Sequence, residues 1–102
     1  MTSDELSRLR ANVDHIDNQI AELLNKRFEI VVQMGIFKKK NSLPLRDLKR
    51  EREILTRIAQ FTVQENAILS RNALKIIFEK IFDVSLQAQQ EYCKSQSPDN
   101  SK

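Results

Sequence analysis

Apolar residues recur along the first part of the chain at steps of three and four: Leu6, Leu9, Val13, Ile16, Ile20, Leu23, Ile30, Met34 and Phe37, with Arg27 the polar member of the same line. That spacing puts them all on one face of a single helix. A shorter line follows, Leu48, Glu51, Leu55 and Ile58, whose odd member is a carboxylate. A third runs Leu74, Phe78, Ile81, Ser85, Ala88 and Tyr92, with Gln89 one turn beyond Ser85 and half a step off the seam. No stretch alternates apolar and polar residues as a surface strand would, Gly occurs once and Pro twice. The pattern predicts an all-α fold of three helices, the first very long.

Local signals set the ends. Thr2 and Glu5 have capping-box spacing, and Asp4 and Glu5 place negative charge where the helix dipole favours it, so helix 1 starts near residue 3. It continues through Gly35 and ends in Lys38, Lys39, Lys40 and Asn41, with Pro44 beyond to forbid continuation. Residues 41–46 form a loop, and Asp47 caps or opens helix 2, expected to reach about residue 66. Two starts compete for helix 3. One is a capping box from Thr62 to Glu65; the other, which we prefer, is Ser70 as N-cap with Leu69 and Leu74 as a hydrophobic staple. Helix 3 then runs to about Tyr92. A domain over 1–93 is expected, with 94–102 (KSQSPDNSK) as a disordered polar tail.

Helix 1 bears on quaternary structure. At ~1.5 Å per residue its roughly 37 residues span about 55 Å, whereas a compact domain of ~100 residues has a radius of gyration of only ~13 Å. Helices 2 and 3, about 30 Å each, are too short to cover both ends of it. We therefore expect an intertwined helical homodimer with helix 1 in the interface.

Composition narrows the function. The 102 residues make one domain, and 17 basic against 14 acidic residues give a net charge of +3 that is interspersed along the chain. Such a balance weakly favours anionic small molecules and does not indicate nucleic acid. Cys93 is alone, which excludes a disulfide framework or multi-cysteine metal site within one chain and fits a reducing compartment. The first residues lack the apolar run of a signal peptide, and no stretch approaches the ~20 apolar residues of a membrane span, so a cytoplasmic protein is expected, without membrane attachment.

The polar members of the seams carry the chemistry. An unpaired charge on such a face costs roughly several kcal/mol, so Arg27 and Glu51 need counter-charges or a solvated polar pocket between helices. Lys38 lies three turns from Arg27 on nearly the same face, Asp47 and Glu51 are one turn apart with Arg50 beside them, and Ser85 and Gln89 are one turn apart. Every helix contributes, as bundles do when they build ligand sites. The inventory holds cations, an acid, a hydroxyl and an amide. It lacks a nucleophile with its base, a Gly-rich phosphate loop and a His/Cys metal cluster; His15 falls off the seam. Such a pocket can bind a small multi-carboxylate and stabilise developing charge, with little covalent chemistry.

Five segments in order, LRANVDHID from Leu9, LLNKRFE from Leu23, GIFK from Gly35, PLRDLKRE from Pro44 and FEKIFDVSLQAQ from Phe78, resemble the all-helical chorismate mutases over residues 5–92. The resemblance implies a cofactor-free Claisen rearrangement of chorismate to prephenate in aromatic amino-acid biosynthesis. Carried over residue by residue, it assigns Arg27 to one substrate carboxylate, and Arg10, reaching across the dimer, to another. Lys38 and Gln89 would donate to the ether oxygen, and Glu51 with the Asp47 backbone would hold the ring hydroxyl. Ser85 would assist a carboxylate and Arg50 would orient or support.

Read without that resemblance, the same residues have plainer roles. Arg27 could pair with Glu51 in a structural salt bridge, Ser85 could be a small packing residue, Gln89 a solvated one, and Lys38 to Lys40 a solvated helix end. Arg10 by spacing alone is a surface residue. Two other functions fit the pattern: an isochorismate pyruvate lyase on the same scaffold, and a non-catalytic helical dimerisation module in which polar seam residues set register.

Overall fold

In the computed structural model, residues 2–64 and 67–95 are described, and they form three α-helices: α1 (Ser3–Lys40), α2 (Leu48–Gln64) and α3 (Arg71–Ser95). No strand occurs among the described residues. None of the helices is long and apolar enough to cross a membrane.

The helix ends follow the side chains that cap them. Glu5 N–H donates to Thr2 Oγ1 at 3.1 Å, Arg50 N–H to Asp47 Oδ1 at 3.0 Å, and Ala73 N–H to Ser70 Oγ at 3.0 Å. Each satisfies one of the amide donors that a helix start leaves without an intrahelical partner. Ser70 is thus the N-cap of α3. Thr62, the rival start, instead donates its hydroxyl to the Ala59 carbonyl at 2.7 Å near the end of α2; Glu65 lies outside the described residues. α3 runs three residues past the expected Tyr92, and 96–102 of the expected tail lies outside the described residues.

The exit from α1 is equally specific. Ser42 adopts φ 57°, its N–H bonds the Lys39 carbonyl at 3.3 Å, and Leu43 N–H bonds the Lys38 carbonyl at 2.8 Å. This is the Schellman closure, in which a left-handed residue turns the chain back over the last helical carbonyls. Asn41 adds a side-chain bond to the Phe37 carbonyl at 2.8 Å.

Two compact units divide the chain, 1–30 and 31–102. The first is the N-terminal stretch of α1. Its apolar line from Leu6 to Leu23 is exposed throughout, as are Ile30, Met34 and Phe37 on the same face further along, the nine side chains ranging from 39% to 63%.

In the second unit α2 packs on α3. Its interior comprises Ile54, Leu74, Phe82 and Cys93, with Ser85 and Gln89 buried among the polar residues. Phe78 and Phe82 meet edge to face at 6.2 Å between ring centroids, a geometry favoured by the ring quadrupoles. Two seams depart from the expected ones. On α2 the buried residue is Ile54, while Leu48 is 57% exposed; on α3 the line runs Leu74, Phe82, Ser85, Gln89, Cys93, leaving Tyr92 55% exposed. Gln89 therefore lies on the seam.

Replacing Ser70 tests the α3 start. Ser70→Ala should cost about 1 kcal/mol in urea denaturation and Ser70→Gly only a few tenths. Equal losses would show that the hydroxyl is not the cap.

Candidate functional site

The second unit gathers six of the eight expected site residues: Lys38, Asp47, Arg50, Glu51, Ser85 and Gln89. Arg10 and Arg27 belong to the first unit, Arg10 exposed and Arg27 half-buried on α1.

Gln89 is, with Ser85, one of the two buried polar groups of the set, with 6% of its surface exposed. Its amide nitrogen donates to the Ser85 carbonyl at a long 3.5 Å. Its Oε1 is buried without a hydrogen-bond partner. A buried amide left partly unsatisfied costs about 1–3 kcal/mol, so a folded chain holds one most readily where a ligand completes it. The Ser85 hydroxyl, one turn earlier, donates to the Ile81 carbonyl at 2.6 Å.

Lys38 leaves α1 one turn after Gly35, the glycine that meets Gln89. Its ammonium donates to the Leu45 carbonyl at 2.9 Å. With Leu43 N–H on the Lys38 carbonyl, the returning loop is stitched to one residue at both its backbone and its side chain. Two ammonium hydrogens remain for an acceptor.

Glu51 sits in the first turn of α2 with its side chain 19% exposed, and Arg46 grips it with both prongs: Nε to Oε2 at 3.0 Å and Nη2 to Oε1 at 3.0 Å. The paired fork is the strong, orienting form of this contact. Arg46 also reaches Asp83 of α3 at 3.7 Å. The hydrogen bond to Glu51 first, then its charge, raises the Arg46 guanidinium above arginine's ordinary pKa; Asp83 adds to this and desolvation opposes it. The counter-charge that Glu51 needs is thus supplied from five residues upstream. Asp47 is occupied as the α2 cap through its side chain, while exposed Arg50 reaches Glu53 at 3.4 Å.

Two cavities of this unit take in few of these groups. A cleft of 460 Å³ is lined by Arg46, Glu51, Phe82 and Asp83 but by none of Lys38, Ser85 or Gln89. A larger groove of 660 Å³ between α2 and α3, bordered by Arg52, Arg71 and Lys75, contains none of the expected residues. No cluster of metal-ligating side chains occurs among the described residues. Two contributors escaped the sequence pattern. Arg46 sits in a loop, where helical periodicity says nothing, although a basic residue five positions before a seam acid was a usable signal. Gly35 carries no side chain to place on a seam.

Comparison with known proteins gives this arrangement a context. The family described as chorismate mutase type II matches residues 9–90. The chain is 32% identical over 89 residues to the bifunctional chorismate mutase/prephenate dehydratase of Aquifex aeolicus, an alignment covering 86% of this chain and 25% of that protein. It is 25% identical over 99 residues to the chorismate mutase of Methanocaldococcus jannaschii, covering 97% of this chain and 98% of that one. Among solved structures, chorismate mutase from Helicobacter pylori in complex with prephenate superposes with a TM-score of 0.81 at 32% identity, covering 90% of this chain and 97% of that chain. The chain spans about a quarter of the length of the bifunctional relatives it matches.

The unsatisfied amide sets an expectation for stability. Gln89→Met keeps the length and unbranched shape while removing the polar atoms, and should raise the free energy of unfolding by about 1–2 kcal/mol in urea titration. A destabilised variant would show that the amide is already satisfied.

Proposed function

The chain belongs to the type II chorismate mutase family, and on that premise we propose that it converts chorismate to prephenate, as a cytoplasmic homodimer paired through α1. The observation that carries this reading is the buried Gln89 amide with its unpartnered oxygen, on the face of α3 that meets α1 one turn before Lys38.

The reaction is a unimolecular rearrangement in which a C–O bond breaks as a C–C bond forms, so no nucleophile, metal or cofactor is called for. The site has two tasks. The first is restraint: the flexible enolpyruvyl arm must be folded over the ring, which cations gripping the two carboxylates accomplish by converting a rare conformer into the bound one. Arg27 takes one carboxylate and Arg10 of the partner subunit the other, with Ser85 assisting through its hydroxyl. The second is electrostatic: negative charge grows on the ether oxygen in the transition state, and donors placed there act more strongly on it than on the ground state. Lys38 and Gln89 fill that role. For Lys38 this means exchanging, or sharing, its bond to the Leu45 carbonyl. Glu51, held by Arg46, and the Asp47 backbone take the ring hydroxyl, and Arg50 supports them.

Energetics support the dimer. Each fully buried large apolar side chain is worth roughly 1.5–3 kcal/mol. Nine that remain about half exposed along one helix face therefore leave on the order of 10 kcal/mol unrealised, comparable to the whole net stability of a domain. A second α1 packed on the first recovers it and brings Arg10 to the partner's site.

Two experiments test the assignments. An amide donates at any pH, but a carboxyl donates only while protonated, and burial raises its pKa. Gln89→Glu should therefore be active mainly on the acidic side and lose turnover as pH rises through the carboxyl's pKa; equal turnover at about pH 5 and about pH 8 would remove Gln89 from its role. Arg10→Ala and Lys38→Ala should each be inactive as pure dimers. After subunit exchange between them, half the dimers are mixed and each holds one intact site, restoring about a quarter of wild-type activity. No recovery, with exchange verified, would place Arg10 in its own chain's site.

A further inference from the structure

Gly35 is the only glycine of the chain, and it lies inside α1 as its one buried residue. Its φ is negative, so the backbone makes no demand for glycine there. The local cost runs the other way, since glycine within a helix is worse than alanine by roughly 0.5–1 kcal/mol.

What glycine supplies is space. A Cβ at position 35 would stand 2.9 Å from Gln89 Cγ, 3.1 Å from Gln89 Cβ and 3.1 Å from Gln89 Oε1. All three atoms belong to one side chain, the one whose oxygen has no partner. Cγ and Oε1 can escape by rotation about χ1 or χ2, but Cβ is fixed to the α3 backbone. A methyl group here must therefore turn the amide out of its present rotamer, move α3 away from α1, or do both. Each outcome displaces the amide. A misplacement of about 1 Å in a catalytic group costs on the order of a hundredfold in rate.

We propose that Gly35 is a positioning residue: the side chain it lacks is the slot in which the Gln89 amide is held, so that α1 aims a donor carried by α3. This rests on the reading of Gln89 as a donor to the ether oxygen. It also accounts for the spacing of Gly35 and Lys38, because one turn of α1 then places the lysine and orients the amide from the same face.

The test is a double-mutant cycle on the full chain, measuring kcat and KM for chorismate, with thermal unfolding followed by circular dichroism. Gly35→Ala should lower kcat by about tenfold or more while KM changes by less than about threefold. In the Gln89→Ala background, where Cγ and Oε1 are gone, the same substitution should change kcat by less than about twofold. Equal fold losses in both backgrounds would make Gly35 a general packing residue and overturn the proposal. So would wild-type kcat in Gly35→Ala while Gln89→Ala is impaired, an outcome that leaves the site reading standing. Wild-type kcat in Gln89→Ala would instead overturn the site reading, and this proposal with it. Should Gly35→Ala fail to fold, recovery of a cooperative transition in Gly35→Ala/Gln89→Ala supports the slot, and failure of both excludes it.

Discussion

The apolar line of α1, from Leu6 to Phe37, is the constraint on which the rest depends. Side chains that a folded chain would hide stand about half exposed, whereas the packed interior formed by α2 and α3 uses other residues, Ile54, Leu74 and Phe82. α1 therefore serves two masters along one length. One face carries the uncovered line, and in its C-terminal part another meets α3 at Gly35. The proposed dimer is the arrangement that lets a single helix do both, because a second copy can cover the first face and leave the other to its own chain.

The polar groups acquire their meaning from that division. Gln89 and Ser85 are buried along the α3 seam, and the Gln89 amide oxygen has no hydrogen-bond partner there. Lys38 is held by the loop it begins, and Glu51 by the arginine just ahead of its helix. In each case a local element fixes a donor or acceptor before any ligand arrives, which is how a site stabilises a transition state without reorganising during the reaction. The energetic cost is visible in the orphaned amide oxygen, a group that destabilises the empty protein.

Much of this was legible in the sequence. The three helices and their caps at Thr2, Asp47 and Ser70 follow from short-range rules: periodicity of apolar residues, and an oxygen-bearing side chain just before each amphipathic run. The polar interruptions at Glu51, Ser85 and Gln89 were visible for the same reason, as flaws in otherwise regular faces. What was not legible depends on partners distant in the chain. Hydrophobicity favours Tyr92 over Gln89 as a seam residue, yet the structure buries the amide and exposes the ring, because the space for Gln89 is created by a glycine 54 positions earlier. Likewise Leu48 and Ile54 are equally apolar, and only the packing of α2 on α3 decides between them. Arg46 belongs to no helix, so its hold on Glu51 and reach to Asp83 emerge only in three dimensions.

The central claim is that one chain cannot complete the site. It is tested most directly by measuring specific activity toward chorismate across a dilution series, with sedimentation velocity on the same samples. The account predicts that turnover per chain falls in proportion to the fraction of dimer. Full turnover per chain from a population that sediments as monomer would contradict it.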